Sequence, residues 1–160
     1  MDDVNPYMYV NDDPVDRVDP TGEVDINFVS LFDNHGRAVH DALERFNPTN
    51  FYTIGGHAAA DGGGYIQDQR GWTDKNRDFV ALRAYTVYRA MFKQGYNDGE
   101  AILAFGCHLA DSSFPADLAR FAKAPVIAGH GFTAISGVKG DSNKVMLTAR
   151  RITMRSRGTL

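Results

Sequence analysis

The run Ala101-Ile-Leu-Ala-Phe105, with Asn97-Asp-Gly99 before it and Gly106-Cys107 after it, limits the choice of fold more than any other stretch of the chain. Five apolar residues without polar alternation predict a strand covered on both faces, and such strands belong to parallel sheets held between helices. Cys107, the only cysteine in 160 residues, then lies at the carboxyl end of that strand. In open α/β sheets this edge is where crevices form and ligands bind. A lone cysteine also serves as a small buried hydrophobe, so its neighbours decide between packing and chemistry.

The flanking pattern predicts the rest of such a sheet. Residues 24–32 alternate as a strand does, and Val39, Leu43 and Phe46 share one face of a helix that begins near Gly36. Phe51-Tyr-Thr-Ile54 predicts a second short strand, which delivers Gly55-Gly56-His57. Residues 65–76 read as a polar surface loop. A helix is expected over 77–93, with Val80, Ala84, Val87 and Met91 at helical spacing and Gly95 as its cap. After Cys107, Ser113 and Pro115 open another helix whose Leu118, Phe121 and Ala122 face inward. Residues 125–128, 132–138 and 145–153 predict three further strands, the last two joined by a hairpin around Lys139-Gly-Asp141. The expectation is an α/β three-layer sandwich with a mostly parallel central sheet. The strand over 101–105 is central to it, and residues 1–22 form an irregular tail outside the core.

Two strands therefore end in glycine-rich polar turns, Ile54-Gly-Gly56-His57 and Phe105-Gly106-Cys107. As parallel neighbours they would present His57 and Cys107 at one edge. A thiol nucleophile needs that arrangement: an imidazole to take its proton, small flanking residues such as Gly56 and Gly106 that admit an oxyanion to backbone N–H groups, and a position at a cleft rim. His130, in Ala128-Gly-His-Gly131 at another strand tip, reads as a substrate contact, an alternative base or a solvated turn residue. Asp61 and Asp111 are spaced to hydrogen-bond His57 or His108 but also read as ordinary loop carboxylates, and His108, if the chain stays extended, points away from Cys107. The glycines 62–64 lack the helix and Gly-Lys-Ser/Thr that a phosphate loop requires.

Composition removes several classes. A formal charge of -3 gives no electrostatic case for nucleic acid, and one cysteine rules out an internal disulfide or a cysteine-built zinc site. No cofactor motif is present, and no apolar span reaches the 18 residues of a membrane helix. The acidic start, Met1-Asp-Asp-Val-Asn-Pro6, does not read as a signal peptide.

The first 22 residues carry a resemblance of their own. Asn5, Tyr7, Tyr9, Val10, Asn11, Pro14, Val15, Asp19, Pro20 and Gly22 match the pattern that closes the core of RHS (YD-repeat) proteins. The resemblance implies a large β-shell upstream, a division into a junction over 1–24 and a variable toxin domain over 25–160, secretion or delivery into a target cell, and a cognate immunity protein. Where many members have Leu after the last glycine, this chain has Glu23. Further on, His57 after one apolar strand and Cys107 after the next resemble the caspase-like cysteine peptidases. That implies a caspase-like or flavodoxin-like sheet, a Cys107–His57 dyad and a protein substrate. The departures are Ala58 after the histidine, where the group has Gly, and Gly106 before the cysteine, where it has Ala.

Two other functions use the same residues differently. His57, Asp61, His108, Asp111 and His130 offer imidazole and carboxylate donors for a divalent metal and metal-assisted hydrolysis, although spacings such as His-x-x-Asp are common. Alternatively, the domain binds a host protein without catalysis.

Overall fold

The computed structural model of the chain describes residues 24–32, 36–44, 50–59, 63–137 and 145–155. The irregular tail expected over 1–22 lies outside them, as do Phe46, Asp61 and the hairpin expected at 139–141.

In chain order the elements are β1 (Ile26–Asn27), α1 (Gly36–Glu44), β2 (Tyr52–Gly55), β3 (Ile66–Asp68), β4 (Val80–Leu82), α2 (Ala84–Lys93), β5 (Ile102–Phe105), α3 (Phe114–Ala122), β6 (Val126–Gly137) and β7 (Val145–Arg155). A 3-10 turn, Leu109–Asp111, connects β5 to α3. Five strands form one sheet in the order β1-β2-β5-β6-β7. The first four are mutually parallel, and β7 runs antiparallel along β6. The predicted buried strand is thus the centre of the sheet.

Both faces of the sheet are covered, as an apolar run without alternation requires. Ile102 and Ala104 pack with Val87 and Met91 of α2 and with Leu118 and Ala122 of α3. Leu103 and Phe105 turn to the other face, where Leu43 and Val39 of α1 meet them. The result is the expected three-layer α/β sandwich. Ile54, Ile102, Val87, Met91 and Leu118 are fully buried, and each such side chain contributes about 1.5–3 kcal/mol relative to exposure.

Four elements differ from the sequence reading, each for a local reason. The strand expected over 24–32 is regular strand only at Ile26–Asn27, with the Phe28 N–H still reaching the Gly55 carbonyl of β2 at 2.7 Å. Beyond it the side chain of Asn27 accepts the Val29 N–H and the chain turns inward, with the Phe28 carbonyl taking the Gln69 N–H. The loop expected over 65–76 contains β3, with Ile66 and Gln69 buried. β3 pairs with β4, so 80–82 is strand rather than the first turn of a helix, and Val80 is exposed while Leu82 is buried. A β-branched and aromatic segment takes the extended form when a partner strand is alongside. The strands expected at 125–128 and 132–138 are one strand, β6, bent where its pairing shifts between His130 and Thr133. Three steps along β6 oppose two along β7 there, a bulge of one residue, and Gly131 takes the positive φ of 64°.

Candidate catalytic edge

The tips of β2 and β5 lie beside the bulge of β6 at the carboxyl edge of the sheet. Between β2 and β5 the register pairs Gly55 with Phe105, and the Gly56 N–H continues the ladder to the Phe105 carbonyl at 3.1 Å. The pairing ends there, and His57 and Cys107 follow two residues beyond it. Adjacent strands lie about 4.8 Å apart, so the two residues leave the same end of neighbouring parallel strands. Both residues are half-buried, and the Nε2 of His57 is shielded from solvent. The backbone holds His57 in place through its carbonyl, which accepts the Gln67 N–H at 2.7 Å.

Gly56 and Gly106 are explained first by packing. A Cβ on Gly56 would lie 2.5 Å from Ile66 Cγ2 and 3.0 Å from Phe28 Cβ. One on Gly106 would lie 2.8 Å from Leu109 Cδ1 and 3.0 Å from Ala58 Cβ. Two turns crossing this closely leave no room for side chains. The Gly56 N–H already serves the ladder, so it does not point at an oxyanion.

On the other flank of Cys107 the chain builds a carboxylate-centred cluster. His108 does not continue the strand: it adopts the left-handed conformation at φ 58°, which is uncommon outside glycine. Its N–H donates to the Gly131 carbonyl at 2.6 Å, joining the β5 tip to the β6 bulge. Its ring swings back so that Nδ1 lies 2.9 Å from Asp111 Oδ2, and packs edge-on against Phe132 at 4.9 Å. Asp111 Oδ1 meets His130 Nδ1 at 2.6 Å, and Oδ2 also accepts the Gly131 N–H at 2.7 Å. The Gly131 N–H and then the two imidazoles hold the Asp111 carboxyl at about 2, below the ordinary 3.8. It is therefore ionised and purely an acceptor at neutral pH. Both Nδ1 atoms must then carry protons, which makes Nε2 the ring nitrogen of each histidine that takes up or releases one.

No known family model, curated protein or solved structure matches this chain. Function has to be argued from the edge itself.

The sequence reading singled out Cys107, His57, Gly56, Gly106, Asp61 and His130. The structure brings five of them to one edge, Asp61 lying outside the described residues. Asp111 emerges as a hub, where the sequence offered it as a hydrogen-bond partner of His57 or His108, a metal donor or a plain loop carboxylate. The His108-x-x-Asp111 spacing hinted at one of its bonds, whereas the bond to His130 depends on the β5–β6 adjacency. Among the described residues no group of three or more His, Cys, Asp or Glu side chains is arranged to hold a metal ion, and Asp111 occupies one nitrogen of each neighbouring imidazole. Among the same residues no helix is long and apolar enough to cross a membrane.

Proposed function

We propose that residues 25–160 form a cysteine-dependent, protease-like hydrolase with Cys107 as nucleophile and His57 as its base, and that this domain is the toxin tip of an RHS-repeat protein. The observation that carries the enzymatic half is the β2–β5 register, which sets an imidazole and the chain's one thiol at the same end of adjacent parallel strands. The toxin half rests on the RHS-like pattern from Asn5 to Gly22. On this reading the domain is carried by an upstream RHS shell, delivered into a target cell where it acts on a protein substrate, and neutralised in its producer by a cognate immunity protein.

In the reaction, the Cys107 thiolate attacks a carbonyl carbon, a C–S bond forms and the C–N bond breaks. The amine leaves with the proton that His57 had taken from the thiol. The test needs no substrate. Iodoacetamide should label Cys107 rapidly at pH 7, and His57→Ala should slow labelling by about 10-fold or more without loss of fold. A native-state rate no faster than that of the denatured chain rejects the dyad. Expression of residues 25–160 should arrest bacterial growth, with relief by the protein encoded immediately downstream. Normal growth of both bacterial and eukaryotic cells rejects the toxin.

A further inference from the structure

Cys107 is followed directly by the most tightly held turn of this edge. The chain leaves the end of β5 through His108, which takes the left-handed conformation at φ 58° and ψ 14°. That conformation is costly outside glycine, so the bonds around His108 have to impose it. Three do. The His108 N–H donates to the Gly131 carbonyl at 2.6 Å, its carbonyl accepts the Asp111 N–H at 3.1 Å, and its ring Nδ1 meets Asp111 Oδ2 at 2.9 Å. The same carboxylate grips the other side of the joint, taking the Gly131 N–H on Oδ2 at 2.7 Å and His130 Nδ1 on Oδ1 at 2.6 Å. Asp111 therefore fastens the residue after Cys107 to the bulge of β6, and Leu109 and Ala110 between them are buried. On the other side of Cys107 the strand end is held by the bond from the Gly56 N–H to the Phe105 carbonyl. A thiol between two fixed points leaves the edge in a fixed direction.

We infer that Asp111 is a positioning residue for the Cys107 thiol, acting through the left-handed turn at His108. This role rests on the Cys107–His57 reading, because the direction matters only where there is an imidazole to aim at. The field of Asp111 works the other way. An ionised carboxylate near a thiol opposes formation of the thiolate, so a role through charge alone predicts that removing it speeds the reaction of Cys107. Positioning predicts that removing it slows the reaction. The sign of the change therefore separates the two.

The experiment follows iodoacetamide labelling of Cys107 in the native full chain at pH 7, with urea unfolding to check the fold. Asp111→Ala should slow labelling about 10-fold, since a small misplacement of a reacting group is costly. Asp111→Asn keeps an acceptor oxygen for His108 Nδ1 and the Gly131 N–H, and should label faster than Asp111→Ala. His108→Gly should label faster than His108→Ala, because glycine enters the left-handed region freely. A double-mutant cycle supplies a readout that a merely structural role would not move: on a His57→Ala background, Asp111→Ala should cost less than about 2-fold. Should Asp111→Ala fail the urea check, Asp111→Asn carries the same cycle. Labelling of the Asp111 variants at or above the wild-type rate, equal slowing with and without His57, or the reverse order within either pair of variants overturns the assignment. A wild type that labels no faster than the denatured chain rejects the dyad, and this role with it.

Discussion

The two edges of the central sheet both collect polar side chains, and they use them in opposite ways. At the carboxyl edge Cys107, His57 and Asp111, beyond the strand ends, and His130, at the β6 bulge, stand half-buried or exposed. At the amino edge the polar groups face inward and bond to the frame. Tyr96 is buried and its hydroxyl points between the carbonyls of Glu100, at 2.8 Å, and Ala122, at 3.2 Å. The Tyr52 hydroxyl donates to the Met91 carbonyl, and its ring meets Tyr96 edge-on at 5.1 Å. Asp25 accepts from both the N–H and the hydroxyl of Thr53. Burial first, and the nearby Asp25 and Glu100 carboxylates second, push the Tyr52 phenol above its ordinary range. Polar groups that close bonds with the buried backbone hold the fold, and on the proposed function those gathered at the carboxyl edge serve the chemistry. This contrast predicts that substitutions at one edge change activity with little cost in stability, and that those at the other do the reverse.

The largest effect should come from Cys107. Cys107→Ala should abolish activity, by at least about a thousand-fold, and Cys107→Ser should leave little because a hydroxyl ionises far less readily than a thiol. Unfolding of both variants in urea should stay within about 1 kcal/mol of wild type, since a small half-buried side chain on a turn contributes little packing. Full toxicity in Cys107→Ala would break the comparison at its functional edge.

Much of this contrast was legible in the sequence, and the limits have physical causes. The run from Ala101 to Phe105 could only be a doubly covered strand, so the layer order, the central position of β5 and the edge on which Cys107 emerges all followed. The position of His57 and Cys107 beyond the ends of two adjacent parallel strands followed too. The spacing of Asp111 to His108 was legible as a hydrogen bond, but its place as a hub was not, because that depends on an αL turn at His108 and a bulge at Gly131. Neither conformation is encoded by apolar periodicity. β4 was misread because Val80 happens to fall in helical register with Ala84, Val87 and Met91, while what decides its form is Ile66–Asp68 alongside, a pairing made in space rather than along the chain. The amino-edge tyrosines gave no sequence signal beyond their apolarity, since the carbonyls that hold them come from α2, α3 and the turn before β5.

A middle-sized effect tests that amino edge. Tyr96→Phe keeps the ring and its contact with Tyr52 but removes the hydroxyl, taking its donor from the Glu100 carbonyl, while the Ala122 carbonyl keeps the Gly99 N–H. A hydrogen bond of this kind is worth about 1 kcal/mol, and an unmet buried acceptor adds to the loss. The urea midpoint should therefore fall by the equivalent of about 1–2 kcal/mol at unchanged slope, while iodoacetamide labelling of Cys107 in the native state stays at the wild-type rate. A variant that slowed labelling as much as His57→Ala does would show that the two edges are not separable.

The smallest effect separates the edges by pH. Burial first, and the neighbouring Asp25 carboxylate second, raise the Glu100 carboxyl from an ordinary 4.5 to about 7 in the folded chain. Between those two values the folded state binds a proton that the unfolded state has released, so stability falls as pH rises from 4.5 through 7 and the full penalty is present above 7. Asp111 has the opposite sign: its carboxyl is lowered to about 2, so what it contributes is present above 3.8 and is lost only as pH falls from there toward 2. Neutral to mildly acidic solution therefore probes Glu100 and leaves Asp111 ionised. Glu100→Gln removes the ionisable group while keeping its length, and should flatten the decline between pH 5 and 8, stabilising the chain at pH 8 by on the order of 1 kcal/mol once solvent screening of the exposed part of the side chain is discounted. Thermal or urea unfolding of the two proteins across that range reads the difference directly. Parallel curves would mean that Glu100 reaches water when the chain is folded, and that the amino edge is less closed than the bonds of Tyr52 and Tyr96 require.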